Sequence, residues 1–315
     1  MAISENQLMS FHIIERFHNE KLITWSYPDI TQTIRDVLVS DISLQSYFHR
    51  TQENEWIYIW ESATELKKYS LALVTKSFNP NQFEKLGHLL MKSYEQNLNP
   101  VQLVKIYLEA FMKGSYIGQE NGNQIKECNR NNYIGIKDLI HSLGHEFILI
   151  LNALLLKKNV IVYHSNLETL QKNLKSIASL IDFKLRDPTQ YLFPIVKKIT
   201  SDLKDESFYV AGIKDKSVII KQDHYDLFVN LLNNTITIAS KSKDSFCMTS
   251  KHKEITMQLV QMVEDNCNDS KLQQTLHRKT ENLINSLQTN EVRSCTNSSM
   301  DSFMLNLAVA ENLMI

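Results

Sequence analysis

The sequence predicts a chain of mixed class in three parts: an α+β front domain with an antiparallel sheet, a central α/β unit, and a helical C-terminal part. Three observations carry this reading. Runs rich in β-branched and aromatic residues crowd positions 8–74. From Pro80 the apolar residues switch to helical spacing. Further on, the apolar segment FILILNALLL runs directly into VIVY and then into an amphipathic stretch, the order of a helix, a buried strand and a crossover helix.

In the front domain, residues 1–114, LMSFHIIE and LITWSY flank the polar HNEK and predict a β-hairpin closed by Pro28. A short helix is expected from Thr31 to Val39. Trp56–Trp60 and Tyr69–Val74 are rich in strand formers and separated by the polar ATELKK, which predicts two more strands. Asn79-Pro80 and Asn99-Pro100 each place a capping Asn before a Pro at the first helical position. Leu86, Leu89, Leu90 and Tyr94 line the first of these helices; Leu103, Ile106, Tyr107 and Ala110 line the second. Residues 115–135 contain Gly118, Gly122 and Gly135 among polar residues and read as a linker.

The central unit spans residues 136–250. Only Asn152 interrupts the apolar run from Phe147 to Leu156, so that helix is surrounded by protein on nearly every side. Lys157 and Lys158 put positive charge at its C-terminus, and Asn159 is expected to take the left-handed residue that ends it. Val160–Tyr163 is an unbroken apolar run, the pattern of a strand covered on both faces in a parallel sheet. Ser165 stands three residues before Glu168, a capping box, and Leu167, Leu170, Leu174, Ile177 and Leu180 follow at helical spacing. This unit reads as a right-handed crossover. Tyr191–Val196, broken by Pro194, is an edge or a connection. Phe208–Gly212, Val218–Ile220 and Leu227–Leu231 are strands, and Asn233-Asn234 turns the chain into Thr235–Ile238.

Residues 251–315 return to helix. Ile255, Leu259, Met262 and Val263 form one face; Leu272, Leu276, Leu283 and Leu287 form another. A polar loop at 288–300 precedes an apolar helix from Phe303 to Met314.

Composition narrows the functional classes. A net charge of −1 with mixed signs leaves no basic footprint for nucleic acid and no polybasic patch for a membrane. Cys128, Cys247, Cys267 and Cys295 are scattered and form no metal knuckle. The longest apolar run is about half the ~20 residues a membrane span requires, and Glu5, Glu15, Arg16 and Glu20 break any signal-peptide pattern. A soluble cytosolic protein is expected. His141 and His145 lie one helical turn apart, but Ser142 and Gly144 occupy the positions where zinc hydrolases carry Glu, and Glu146 leaves a helix about 100° from His145. The seven glycines form no phosphate cradle, dinucleotide fingerprint or nucleophile elbow, so no cofactor and no bond chemistry are expected. Trp56, Tyr58 and Trp60 alternate along one strand face, which is either a core stripe or a partner-binding surface.

Leu154–Leu170 (LLLKKNVIVYHSNLETL), Phe208–Gly212 (FYVAG) and Asp226–Ala239 (DLFVNLLNNTITIA) resemble, in order and spacing, three landmarks of the central module of DENN-domain proteins. LITWSYPDITQTIRDVL, KSFNPNQF and FMLNLAVAENLMI are similar to stretches that flank that module. The resemblance implies a longin-like upstream domain over residues 1–114, a central DENN module over 136–250, and a downstream helical module over 251–315. It also implies guanine-nucleotide exchange on a Rab-family small GTPase, in the cytoplasm and peripherally at late endosomes. A multi-subunit endosomal retrieval assembly of the Commander type is implied as a further partner. The groove between the first two domains would grip the GTPase, with candidate contacts at Tyr163, His164, Ser165 and Asn166 and at Trp56, Tyr58 and Trp60. The loop after the buried strand sits where α/β sheets place their sites; alternatively Ser165 simply caps its helix. The alternative function is a DENN-fold adaptor without strong exchange, because Val229–Leu232 lacks the acidic residues of exchange-active relatives and no Pro precedes Phe208.

Overall fold

A computed structural model describes residues 8–17, 20–29, 31–39, 47–51, 55–63, 68–76, 80–113, 118–120, 123–125, 135–181, 191–196, 206–215, 221–288 and 302–311, with Phe78, Lys184 and Leu203 besides. The chain divides into two compact units, Met1–Asn131 and Asn132–Ile315.

The first unit is built on five antiparallel strands: β1 (Leu8–Phe17), β2 (Glu20–Tyr27), β3 (Tyr47–Arg50), β4 (Trp56–Ala63) and β5 (Lys68–Thr75), in the order β2-β1-β5-β4-β3. The hairpin register pairs Phe11 with Tyr27 and Phe17 with Glu20, with a bulge between Ile13 and Ile14. Helix α1 (Gln32–Val39) packs near β2, α2 (Pro80–Asn97) covers β4 and β5, and α3 (Pro100–Lys113) lies beside α2 over β1. Asn99 caps α3 as expected, its side-chain oxygen accepting from Val101 N at 3.0 Å. Asn79 lies outside the described residues. Strand β3 has no counterpart in the sequence reading, because four residues ending in His49-Arg50 are too short to show alternation. A small hairpin of β6 (Gly118–Glu120) and β7 (Asn123–Ile125) stands where only linker was expected.

The aromatic stripe of β4 is core, which corrects its candidacy as a partner-binding surface. Trp56 is fully buried, with Tyr58 and Trp60 close to it. Trp56 packs on Phe78 at 4.5 Å between ring centroids, and Tyr58 packs on Phe83 of α2 at 5.2 Å. At most 4% of any of the three is exposed, too little to anchor a partner.

The second unit holds β8 (Val160–Tyr163), β9 (Leu192–Phe193), β10 (Val210–Ile213), β11 (Leu227–Asn230) and β12 (Thr235–Ile238), ordered β12-β11-β8-β10-β9. The first four are parallel; β12 returns antiparallel to β11. Both faces of β8 are covered, since Val160, Ile161 and Val162 have no exposure. One face packs Ile161, Ala211 and Phe228 against Leu203, Tyr225 and Val196. On the other, α6 (Leu167–Ser179) approaches β10 so closely that a Cβ on Gly212 would stand 2.6 Å from Leu174 Cδ1 and 2.5 Å from the carbonyl of Pro194. That is why FYVAG ends in Gly. Val218–Ile220 lies outside the described residues.

Helices α4 (Ile136–Leu143) and α5 (Phe147–Leu155), joined by a 3₁₀ turn, make a 20-residue segment apolar enough to cross a membrane. Here it is a core element: Ile136, Leu139, Phe147, Ile148, Ile150 and Leu155 are all fully buried. Around it pack α6, α7 (Ser250–Glu264) and α8 (Asp269–Gln288). Asp269, first residue of α8, caps the start of α4 from a distance, its carboxylate accepting from Gly135 N at 3.1 Å and Lys137 N at 2.7 Å. A capping box absent from the sequence reading begins α7, with His252 in the place usually held by Glu or Gln: Thr249 Oγ1 accepts from His252 N, and His252 Nδ1 accepts from Thr249 N. The last helix, α9 (Ser302–Ala310), is joined to the loop after α6 by an ion pair between Glu311 and Lys184. The expected loop at 288–300 lies outside the described residues from position 289 onward.

Two local expectations are corrected. The left-handed residue after α5 is Lys157, with φ of 50°, and not Asn159. The cap of α6 is Asn166, one residue beyond Ser165: its Oδ1 accepts from Thr169 N at 2.9 Å. Sequence spacing favoured Ser165 because of Glu168, yet α6 begins only at Leu167, and Asn166, with extended backbone at φ −86° and ψ 126°, is the residue before it.

Candidate functional site

Parallel strands place their carboxyl ends on one edge of the sheet, and in the second unit that edge collects all three sequence landmarks. Tyr163, the last residue of β8, stands in register with Ile213 of β10 on one side and Asn230 of β11 on the other. The backbone beyond each is tied across the edge. Leu231 N donates to Tyr163 O at 3.1 Å, and His164 N donates to Ile213 O at 3.4 Å.

From this base the loop Tyr163–Asn166 rises to solvent. Tyr163 is largely buried and stacks on Phe228, with 6.4 Å between centroids. His164 is half-buried, and its Nδ1 accepts from Asn166 N at 2.9 Å, so the ring braces the loop. Ser165 and Asn166 are exposed. Asn166 carries two duties, capping α6 and shaping the turn. Beside the loop, the buried Asn230 uses its Oδ1 to accept from Leu232 N at 3.1 Å and Asn233 N at 3.3 Å. This holds Leu232, which is 52% exposed, at the surface next to Asn233 and the left-handed Asn234. The structure thus brings Tyr163, His164, Ser165 and Asn166 together with Asn230, Leu232 and Asn233. The signal for the latter group was the polar Asn230 inside an otherwise apolar strand.

The opposite end of these strands is held by Asn159. Its N–H donates to Asp226 Oδ2 at 2.8 Å, its carbonyl accepts from Asp226 N and Leu227 N, and its side-chain oxygen accepts from Tyr209 N at 3.2 Å. One residue therefore fixes the starts of β8, β10 and β11 relative to one another. Tyr209, whose hydroxyl donates to His224 O, has its pKa pushed up to about 12, first by burial and then by the Asp226 carboxylate.

His141 and His145 are both exposed. Glu146 is committed elsewhere, its Oε2 accepting from Ile236 N at 3.2 Å on β12. Among the described residues no group of three or more His, Cys, Asp or Glu side chains is placed to hold a metal ion. The carboxyl edge carries exposed hydroxyl, carboxamide and leucine side chains on a hydrogen-bonded base.

A DENN domain-containing protein 10 from Homo sapiens is 30% identical over 286 residues, covering 84% of this chain and 80% of that protein. The chain belongs to the DENN-domain family. A DENN domain-containing protein 10 from Dictyostelium discoideum is 27% identical over 367 residues, covering 99% of this chain and all of that protein. One from Mus musculus is 28% identical over 310 residues, covering 91% and 86%. The family model described as transport protein Avl9 matches residues 64–216. That span ends just past β10 of the DENN chain and so takes in β8 and its following loop.

Proposed function

We propose that this chain is a guanine-nucleotide exchange factor for a Rab-family GTPase, peripheral to late endosomes, and that the carboxyl edge of its central sheet contacts the GTPase. The observation that carries the proposal is the convergence of the three DENN landmarks on that one edge, with Ser165, Asn166 and Leu232 exposed upon a braced base. Family membership and the transport description of the matching family model support the setting in membrane traffic.

Exchange needs no nucleophile. The factor must bind the nucleotide-free GTPase better than the loaded one, because equal affinity for both shifts nothing. A thousandfold faster release asks for about 4 kcal/mol of preference, which an interface of roughly 1,600 Å² supplies from a few anchors. The test is release of fluorescent GDP from a panel of purified Rab GTPases. Acceleration of one member by at least tenfold is the expected result, and a panel whose rates all stay at the intrinsic value refutes it.

A second reading is an adaptor inside an endosomal retrieval assembly of the Commander type. One observation favours it: Val229–Leu232 carries no carboxylate, and Asn230 spends its side-chain oxygen on its own turn. Under this reading the chain binds its partners and leaves every release rate unchanged.

A further inference from the structure

Lysines that lie far apart in the sequence meet at the amino ends of the strands in the second unit. Lys157 and Lys158 join α5 to β8, and Lys221 precedes the turn into β11. Lys241 and Lys243 lie on the 3₁₀ segment Ser240–Phe246 that follows β12, which runs antiparallel to β11 and so ends at this edge. Hydrogen bonds hold these pieces side by side: Asp226 accepts from Asn159 N and Ser242 Oγ, Gln222 from Ser240, and the carbonyl of Asp223 from Lys241 Nζ at 2.8 Å. Lys157, Lys221, Lys241 and Lys243 are exposed and Lys158 is half-buried. Among the described residues none of these lysines has a carboxylate partner. Asp223, Asp244 and Glu206 are the uncommitted acids described here, so lysine charge is in excess.

Helix α9 lies along the same edge. Phe303 near its start packs on His252 of α7, with 4.1 Å between ring centroids, and Glu311 just past its end pairs with Lys184. The segment carrying Lys241 and Lys243 packs directly on this helix. Burial, and then the charge of Lys157, bring the pKa of Lys184 down to about 8, which sets Lys157 near the far end of α9. The helix is apolar on every side. Phe303, Met304, Leu307 and Ala308 are buried, whereas Leu305 and Val309, one turn apart, are 44% and 53% exposed. Helices of that kind are ordinarily covered all round.

The cover this edge asks for is apolar over α9 and anionic beside it. A bilayer with acidic lipids supplies both, its headgroups meeting the lysines and its acyl boundary receiving the two apolar side chains. A nucleic acid would meet the lysines and leave Leu305 and Val309 bare. Protein interfaces are depleted in Lys and anchored by Trp, Tyr and Arg, none of which is among the exposed residues named at this edge. We propose that the amino edge of the central sheet and the outer face of α9 dock the chain on an anionic lipid surface. Tyr163–Asn166 lie at the opposite end of the strands, so docking leaves them free and does not depend on exchange.

The test is flotation of the full chain with phosphatidylcholine vesicles, with and without about 30 mol% phosphatidylserine. Binding at least tenfold tighter to the acidic vesicles is expected, falling as salt rises. Each lysine near such a surface adds about fivefold, so the exposed triple variant Lys157→Gln, Lys241→Gln, Lys243→Gln should bind at least tenfold more weakly. Leu305→Ser with Val309→Ser should weaken binding at least threefold; urea midpoints equal to the parent's show that both variants fold. The proposal is overturned by absence of vesicle binding, by equal binding to neutral and acidic vesicles, or by a triple variant that binds like the parent. Undiminished binding of the Leu305, Val309 variant also overturns it and gives the lysines to a purely ionic partner such as an acidic peptide. Release of GDP from a soluble responsive Rab should be unchanged in the triple variant; its loss would assign this edge to the GTPase and refute lipid docking. Vesicle binding with no GTPase responding upholds lipid docking and refutes the exchange factor.

Discussion

The indole of Trp60 occupies the space a side chain on Gly87 would need: a Cβ there would stand 2.3 Å from both Cη2 and Cζ2 of the ring. Gly87 lies inside α2, where glycine is unfavourable by about 1 kcal/mol against alanine. Packing outweighs propensity, because Trp60 is buried on the other side and has nowhere to retreat. Gly87→Ala is expected to destabilise the first unit by about 1–3 kcal/mol. Trp25, Trp56 and Trp60 all lie in that unit, so tryptophan fluorescence during urea unfolding reads it selectively. Adding Trp60→Leu to Gly87→Ala should cost less than the sum of the single changes.

His12 of β1 is fully buried between two hydroxyls, its Nε2 2.8 Å from Ser10 Oγ and its Nδ1 3.0 Å from Ser26 Oγ. Burial, aided by the charge of Arg35, lowers its pKa from 6.5 to about 4. The neutral ring is the folded form, so its contribution is complete above pH 6.5 and is lost as pH falls to about 4. The first unit should lose about 3 kcal/mol across that window. His12→Gln should flatten the slope in urea midpoints measured against pH.

Asp226 holds Asn159 N and also accepts from Ser242 Oγ. Asp226→Ala strands both donors and is expected to cost the second unit about 2–3 kcal/mol, read by far-ultraviolet circular dichroism. Asp226→Asn should lower the pKa of Tyr209 from about 12 without restoring 10, since burial is the larger cause. In the parent chain the stability from neutral Tyr209 is intact below pH 10 and lost between pH 10 and 12. Tyrosinate absorbance gives the titration.

Asn152 is fully buried in α5, and among the described residues neither its side-chain oxygen nor its nitrogen meets a partner. Asn152→Leu keeps the branching pattern of the side chain and removes two unsatisfied groups. A stabilisation of the second unit by about 1–3 kcal/mol is expected in urea unfolding.

Ser165 is exposed and makes no cap, because Asn166 does that work. Ser165→Arg should therefore leave the unfolding midpoint unchanged while reducing GDP release from the responsive Rab at least tenfold. Asn166→Ala should instead lower stability by about 1 kcal/mol and release together.

Most elements of both units were legible in the order of residues, since period and turn chemistry are local. The β1–β2 hairpin, the two Pro-initiated helices and the buried strand β8 stand where patterning put them. The carboxyl-edge loop was legible too, through its place after that strand. Partnerships over long separations were not. That Trp56, Tyr58 and Trp60 face inward depends on helix α2, twenty or more residues on, arriving over β4. The cap of α4 comes from Asp269, more than a hundred residues away. Local sequence determined which segments become helix or strand, because backbone preference and hydrophobic period act within a few residues. Which faces are covered, which termini are satisfied and where scattered lysines gather were decided only when distant segments met, because burial and hydrogen bonding are settled between them.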